Sequence, residues 1–144
     1  MSPTQYLSLA EVIAIHESGM RRLGDEPKPL RDEGLLESAV MRPQMAAHYE
    51  GADVARQAAL LGVGISQAQA FLDGNKRTAY LALNTFLRMN GLTYSGDRLE
   101  LAKQLEQLAG RSSEPDAAID AFEAWLRQYV QPRSESKRTR SNDV

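Results

Sequence analysis

The residues best suited to chemistry lie in one short polar stretch, residues 69–79, between two apolar runs. Gly74 can adopt backbone angles closed to other residues and Asn75 is a favourable N-cap, so a helix is predicted to start near Lys76. Lys76 and Arg77 would then lie in its first turn, where the helix dipole disfavours cations unless an anion is bound. The stretch therefore predicts a phosphate-binding loop, or else a capped helix start with solvated charges.

A phosphate at this helix start would find ligands of complementary kinds. Arg77 can grip it with a planar fork, and Lys76 can act as a point charge. Asp73 can hold a divalent cation that bridges phosphate oxygens, as Mg²⁺ does. Loops that combine glycine with basic residues are common, so spacing alone leaves the phosphate site and the solvated helix start both open.

This stretch resembles the motif of the Fic/Doc superfamily, and most closely that of its death-on-curing (Doc) branch of toxins. The motif reads His-x-Phe-x-Asp-Gly/Ala-Asn-Lys-Arg. Residues 31–44 and 86–91 are similar to the early segment and to the end of the central helix of that family, so the resemblance extends over about residues 6–130. The residues that match the motif in register are Phe71, Asp73, Gly74, Asn75, Lys76 and Arg77.

The resemblance implies a toxin that uses ATP, or another nucleoside triphosphate, with magnesium to modify a hydroxyl of a translation factor. In the superfamily the Asn-Lys-Arg form resembles the Doc kinases that phosphorylate elongation factor Tu, whereas Asn-Gly-Arg usually accompanies nucleotidyl transfer. Lys76 therefore favours phosphotransfer, to which Asp73 and Arg77 would also contribute, with Asp73 as the possible magnesium ligand. The nucleotide-binding residues implied by the resemblance are Gly74, Asn75, Lys76 and Arg77.

A small Phd-like antitoxin is the partner that the resemblance implies, with a disordered tail that folds into an apolar groove. Many Fic proteins instead inhibit themselves through a helix with the motif Ser/Thr-x-x-x-Glu-Gly/Asn. The two Glu-Gly pairs here, residues 33–34 and 50–51, have Pro29 and Ala46 four residues upstream, so the motif is missing. Inhibition is therefore expected to come from another chain.

Position 69 departs from the family motif. The family has its catalytic histidine there, which takes the proton of the target hydroxyl, and this chain has Gln69. A carboxamide has no basic site for that proton. Asp73 is the nearby candidate to accept it. Three functions stay open: a Doc-type toxin with lost or impaired activity, a catalytically silent protein that binds a nucleotide or a partner, and a Fic-type nucleotidyltransferase (an AMPylator).

The polar stretch belongs to a chain of 144 residues with 42% hydrophobic residues and a formal net charge of −2. These values fit one globular domain, residues 1–130, followed by a disordered tail, residues 131–144. No run of about 18 apolar residues and no secretory leader is present, so a soluble, cytoplasmic protein is expected. The chain has no cysteine and two histidines, which argues against disulfides and a histidine-rich metal site. Its near-neutral charge gives no support for nucleic-acid binding.

Helical periodicity dominates the sequence and predicts an all-α fold, a compact bundle of about six helices. Residues 52–68 and 76–89 are predicted to form a central helical hairpin with the polar stretch at one end. His16 is expected on a helix surface or partly buried, and Trp125 in the core. Further helices are predicted over residues 9–23, 98–109 and 113–130.

A short helix is predicted to begin after Asp32 and to stop before Pro43, because proline disfavours helix in the residue before it. Residues 44–51 then read as a loop or irregular hairpin. In the resembled family this region is a flap that lays the target beside the active loop. His48 is the one native histidine that would be a replacement base, although nothing in the sequence places it near residue 69. The candidate target contacts are Met45, His48 and Tyr49.

Overall fold

The computed structural model describes residues 3–109 and 115–133, which contain six helices and two short strands. The predicted all-α fold is confirmed. None of the helices in the described ranges combines the length and apolar character needed to cross a membrane. In chain order the elements are α1 (Leu9–Arg22), α2 (Glu33–Glu50), α3 (Val54–Ala68), α4 (Asn75–Met89), β1 (Leu92–Tyr94), α5 (Arg98–Ala109), α6 (Pro115–Arg127) and β2 (Val130–Pro132).

Helix α3 forms the centre of the bundle, and α2, α4, α5 and α6 pack around it. Every side of its middle section, residues 57–66, is buried. Small residues let the neighbours come close: a Cβ on Gly62 would lie 2.7 Å from Leu83 Cδ1 of α4. The pair α3 and α4 is the predicted central hairpin, and it presents the polar stretch at one end.

Side-chain hydrogen bonds cap the starts of α1 and α3. Ser8 and Glu11 form a capping box at the start of α1, with Ser8 Oγ accepting from Glu11 N at 3.1 Å and Glu11 Oε1 accepting from Ser8 N at 2.8 Å. Asp53 caps α3 by accepting from Arg56 N at 3.0 Å. These bonds satisfy amide groups that a helix start leaves without intrahelical partners.

The prediction that the second helix stops before Pro43 is wrong. Helix α2 continues through Pro43 to Glu50 and ends at Gly51, which has φ 68°. Pro43 is buried, as are Ala39 and Ala46 one helical turn away on either side. The packing of this face on α3 offsets the backbone hydrogen bond that proline removes. Residues 44–50 are therefore helical and form no flap.

The end of the chain also differs from the prediction. The last helix ends at Arg127, and Val130–Pro132 instead pairs antiparallel with β1, with Thr93 opposite Gln131. The predicted tail, residues 131–144, thus begins inside this strand, and its part from residue 134 onward lies outside the described residues. Trp125 packs against the core and lies 6.0 Å, centroid to centroid, from Tyr94.

The α2–α3 contact generates a stability prediction at Gly64. A methyl group added there would lie 3.3 Å from Ala39 Cβ and 3.5 Å from Ala39 Cα. Because Ala39 Cβ is attached directly to the backbone and cannot move aside without shifting α2, Gly64→Ala is expected to lower the free energy of unfolding by about 1–3 kcal/mol, as measured by urea denaturation.

Gly34→Ala is the matched control, since it is also a helical glycine. Its nearest neighbour would be Asp32 Oδ1 at 3.5 Å, an ordinary contact. It should leave stability unchanged or raise it slightly through helix propensity. Equal stability of the two variants would contradict the close α2–α3 packing.

Candidate functional site

The polar stretch forms a loop, residues 69–74, which we call the motif loop. Helix α3 ends at Ala68, and its C-cap is Gln69, a non-glycine residue with φ 52°. Helix α4 begins at Asn75 after Gly74, which has φ 84°. The predicted N-cap role of Asn75 is therefore wrong: Gly74 occupies that position and supplies no side-chain cap. The first amides of α4 are thus left available to an external anion.

The Asn75 side chain closes the motif loop instead of capping the helix. Its Oδ1 accepts from Phe71 N at 3.0 Å, and its Nδ2 donates to Phe71 O at 2.8 Å. The amide thus satisfies both backbone groups of one loop residue, as a paired strand would. The donors that Asn75 keeps for a phosphate are its backbone N–H and the second N–H of Nδ2.

An extended segment before α2 clamps the other side of the motif loop. Leu30 and Phe71 form an antiparallel bridge, and Arg31 N and Asp32 N both donate to Ala70 O, at 2.6 and 3.1 Å. The guanidinium of Arg31 donates to Gln69 O through Nε at 3.0 Å and also through Nη2. Arg31 begins the segment, residues 31–44, that resembles the early part of the Fic/Doc family, but no local pattern in the sequence predicts this contact.

His16 of α1 supports the motif loop from beneath. It is 2% exposed, so the expectation of a surface or partly buried position is wrong. Its ring stacks on Phe71 with centroids 3.8 Å apart and an interplanar angle of 8°. Its Nε2 lies 2.8 Å from Asp73 O. A signal was present in the sequence, because His16 lies one turn from both Val12 and Met20 on the apolar face of α1.

Gln69 occupies the position of the family histidine, but its side chain folds back onto α3. Its Nε2 donates to Ser66 O at 2.9 Å and so satisfies a carbonyl in the last turn of that helix. The residue is exposed. The amide therefore serves the helix end, and its chemistry offers no site to receive a proton.

Asp73, Lys76 and Arg77 are exposed at the α4 end of the motif loop. Asp73 Oδ1 accepts from Gly74 N at 2.8 Å. Lys76 Nζ lies 3.2 Å from Glu106 Oε2 of α5. Both charged side chains of that pair are at least half exposed, so water weakens the attraction and an anion can compete for Lys76.

A groove of about 710 Å³ opens between α4 and α5 beside these cations. Its volume is in the range of small-molecule sites. One end is positive and polar, and Tyr80 and Leu99 add aromatic and apolar surface. The lining residues are Lys76, Arg77, Tyr80, Asp97, Arg98, Leu99, Ala102 and Glu106.

The charges of this end of the molecule suit an anion. Helix α4 is 15 residues long, and its positive end carries two further cations where the dipole disfavours them. No group of three or more metal-ligating side chains occurs within the described ranges. Mg²⁺ often takes one carboxylate and completes its shell with phosphates and water, and Asp73 fits that role.

His48 is excluded as a replacement base by its place on α2. Asp32 caps the end of α2 that contacts the motif loop, and His48 lies sixteen residues further on, which is about 24 Å along the helix axis. Met45 and Tyr49 are exposed on the same distant part of α2, by 49% and 73%. They do not line the motif loop, so their predicted place in a flap beside it is wrong.

Comparison with known proteins finds a matching family model and two similar proteins. The family model described as "Fic/DOC family" matches residues 6–87. "Toxin Doc" of Mycolicibacterium smegmatis is 39% identical over 131 residues, which cover 88% of this chain and 95% of that protein. "Protein kinase doc" of Escherichia phage P1 is 34% identical over 89 residues, which cover 61% of this chain and 70% of that protein.

The loop-closing contacts predict the effect of Asn75→Ala. Phe71 N–H and C=O would both lose their partners, at a cost of about 1–3 kcal/mol of unfolding free energy. Exchange of the Phe71 amide hydrogen should accelerate, as measured by NMR. Asn84→Ala is the control, because Asn84 Nδ2 also donates to a carbonyl four residues earlier, Tyr80 O at 2.9 Å, but within α4. If both variants lose equal stability, the loop-closing role of Asn75 is wrong.

Proposed function

The chain belongs to the Fic/DOC family, and on that premise we propose that it is a Doc-type toxin built to transfer the terminal phosphate of a nucleoside triphosphate to a hydroxyl of a translation factor. One observation carries the proposal: the uncapped start of α4 presents free amides, Lys76 and Arg77 at the mouth of a nucleotide-sized groove. The names of two similar proteins, "Toxin Doc" and "Protein kinase doc", support the proposal of a phosphate-transferring toxin.

Each residue of the site has a part in this transfer. The amides at the start of α4 and the fork of Arg77 hold phosphate oxygens and neutralise charge that develops as the phosphate moves. Lys76 leaves Glu106 for the phosphates. Asp73 would hold Mg²⁺, which would neutralise negative charge on the phosphates. Tyr80 and Leu99 offer a surface for the nucleoside.

Gln69 is expected to lower the rate of phosphate transfer, because it stands where the family has a general base. A general base contributes about 10²–10⁴-fold to such a reaction, and the amide of Gln69 is tied to Ser66 O. Phosphoryl transfer relies mainly on positioning and charge neutralisation, so the rest of the site keeps part of its function. We therefore infer that the chain with Gln69 is a weak or inactive enzyme on an intact scaffold.

A catalytically silent binding protein is the second candidate function. The specific observation in its favour is the helix-capping bond of Gln69, which gives that residue a structural use. In this reading the groove and the cations bind a nucleotide, and nothing is transferred. Nucleotidyl transfer is a third candidate, which Lys76 disfavours because glycine occupies that position in the nucleotidyl-transferring form of the motif.

The proposed partners follow from the toxin reading. Elongation factor Tu is the proposed target, and a Phd-like antitoxin is the proposed inhibitor. The Ser/Thr-x-x-x-Glu-Gly/Asn helix of self-inhibiting relatives is missing from this sequence. Because both proposed partners are proteins of the bacterial cytoplasm, we propose that the protein acts there.

The toxin reading predicts that Gln69→His restores growth arrest. An imidazole can take the proton that the carboxamide cannot. Induction of each form in a bacterial host should show little arrest with Gln69 and strong arrest with Gln69→His. Equal arrest by both forms would remove position 69 from the chemistry, and no arrest by either soluble form would favour the silent binding protein.

The phosphotransfer reading predicts which group is added. Gln69→His, incubated with ATP, magnesium and purified elongation factor Tu, should raise the mass of the factor by one phosphate group. Gln69→His with Arg77→Ala is the control and should be slower, since it lacks the cation that neutralises the transferred phosphate. Addition of an adenylate group would show nucleotidyl transfer instead.

A further inference from the structure

The peptide between Asp73 and Gly74 is fixed on both sides. Its carbonyl oxygen lies 2.8 Å from Nε2 of the buried His16, and its N–H donates to Asp73 Oδ1 at 2.8 Å. Because a carbonyl can only accept, His16 must carry its proton on Nε2. The carbonyl and the N–H of a trans peptide point in opposite directions, so the bond from His16 turns the Gly74 N–H away from the core.

We infer that His16 is a positioning residue, which holds the Asp73–Gly74 peptide so that Gly74 N–H faces outward and donates to the carboxylate of Asp73. The role of that carboxylate as a magnesium ligand rests on the proposed function. The orientation of the peptide does not. His16 itself is buried beneath the motif loop and acts on a ligand only through this peptide.

Gly74 is the reason that the peptide needs a support. A Cβ at this position would lie 2.7 Å from Met20 Sδ and 3.3 Å from His16 Nε2, so glycine permits the close approach to α1 without a shift of the buried Met20 side chain. Glycine, however, populates positive and negative φ with similar ease. Rotation of this peptide would point the Gly74 N–H inward and break its hydrogen bond to Asp73 Oδ1. A hydrogen bond to the carbonyl opposes that rotation.

An apolar residue at position 16 would pack equally well without this effect. A buried imidazole costs free energy unless it is hydrogen-bonded, and a phenyl ring would make the same stack on Phe71 at no such cost. The donor on Nε2 is what histidine adds. The near-parallel stack, at 8°, fixes the ring plane and so aims that donor at Asp73 O.

Two substitutions at His16 distinguish the effect of its aromatic ring from the effect of its Nε2–H donor. His16→Phe keeps the stack and removes the N–H, whereas His16→Gln returns an N–H donor without the ring. Phe122→Leu is the stability control, since Phe122 is 2% exposed in α6 and lies outside the site. All three are to be compared with the unmodified chain by thermal unfolding, so that effects of general destabilisation are recognised.

Two measurements test the orientation of the peptide without any activity. Long-range ¹⁵N–¹H spectra of the unmodified chain should show His16 protonated on Nε2. The Gly74 amide resonance should move in His16→Phe and move back towards its original position in His16→Gln. A proton on Nδ1 alone, or a Gly74 resonance that His16→Phe and Phe122→Leu leave equally unchanged, would overturn the inference.

Calorimetry with ATP and magnesium tests the consequence for the site. His16→Phe should weaken binding about tenfold, as expected for the loss of one hydrogen bond, with partial recovery in His16→Gln and none of this effect in Phe122→Leu. Unchanged affinity in His16→Phe would overturn the link from the peptide through Asp73 to the binding of ATP with magnesium. If the unmodified chain binds no ATP, the proposed function fails, and the two NMR measurements still decide the role of His16.

Discussion

The close approach of the motif loop to α1 is the constraint on which the rest of the site depends. A Cβ at Gly74 would lie 2.7 Å from Met20 Sδ, so glycine lets this part of the loop pack directly on α1. This contact brings the start of α4 against α1 and fixes where its free amides point. Since α4 is packed on α3 along the hairpin, the same contact also fixes the position of Lys76 and Arg77 at the mouth of the groove.

The motif loop is held almost entirely through its backbone. Asn75 bonds to the main chain of Phe71, the segment at Arg31 bonds to the main chain of Ala70 and Gln69, and His16 bonds to the carbonyl of Asp73. Bonds of this kind do not depend on which side chain stands at position 69. A chain can therefore carry glutamine at the position of the family histidine and keep the geometry of the motif loop, as observed here.

Positive charge collects at the start of α4 and is partly offset by a carboxylate of α5. The cations at the start of α4 oppose the helix dipole, and the partial charges of the uncapped amides add to theirs. Glu106 of α5 offsets part of this charge through an exposed ion pair with Lys76. An exposed pair contributes little to stability, so Lys76 can exchange Glu106 for another anion at small cost.

The sequence by itself determined the helical class, the central hairpin, the start of α2 after Asp32, and the loop with its glycine and the two cations that follow it. These features depend on periodicity and capping, which act between residues a few positions apart. The resemblance of the motif also gave the family, which the comparisons show.

Only the tertiary structure decided the continuation of α2 through Pro43, the pairing of β1 with β2, and the roles of Arg31 and His16. Pro43 stays helical because its face is buried on α3, and β1 pairs with residues far along the chain. His16 and Asp73 lie 57 residues apart in sequence. Such contacts form between segments whose separation no local pattern records, so the support of the motif loop could be recognised only once the helices were packed.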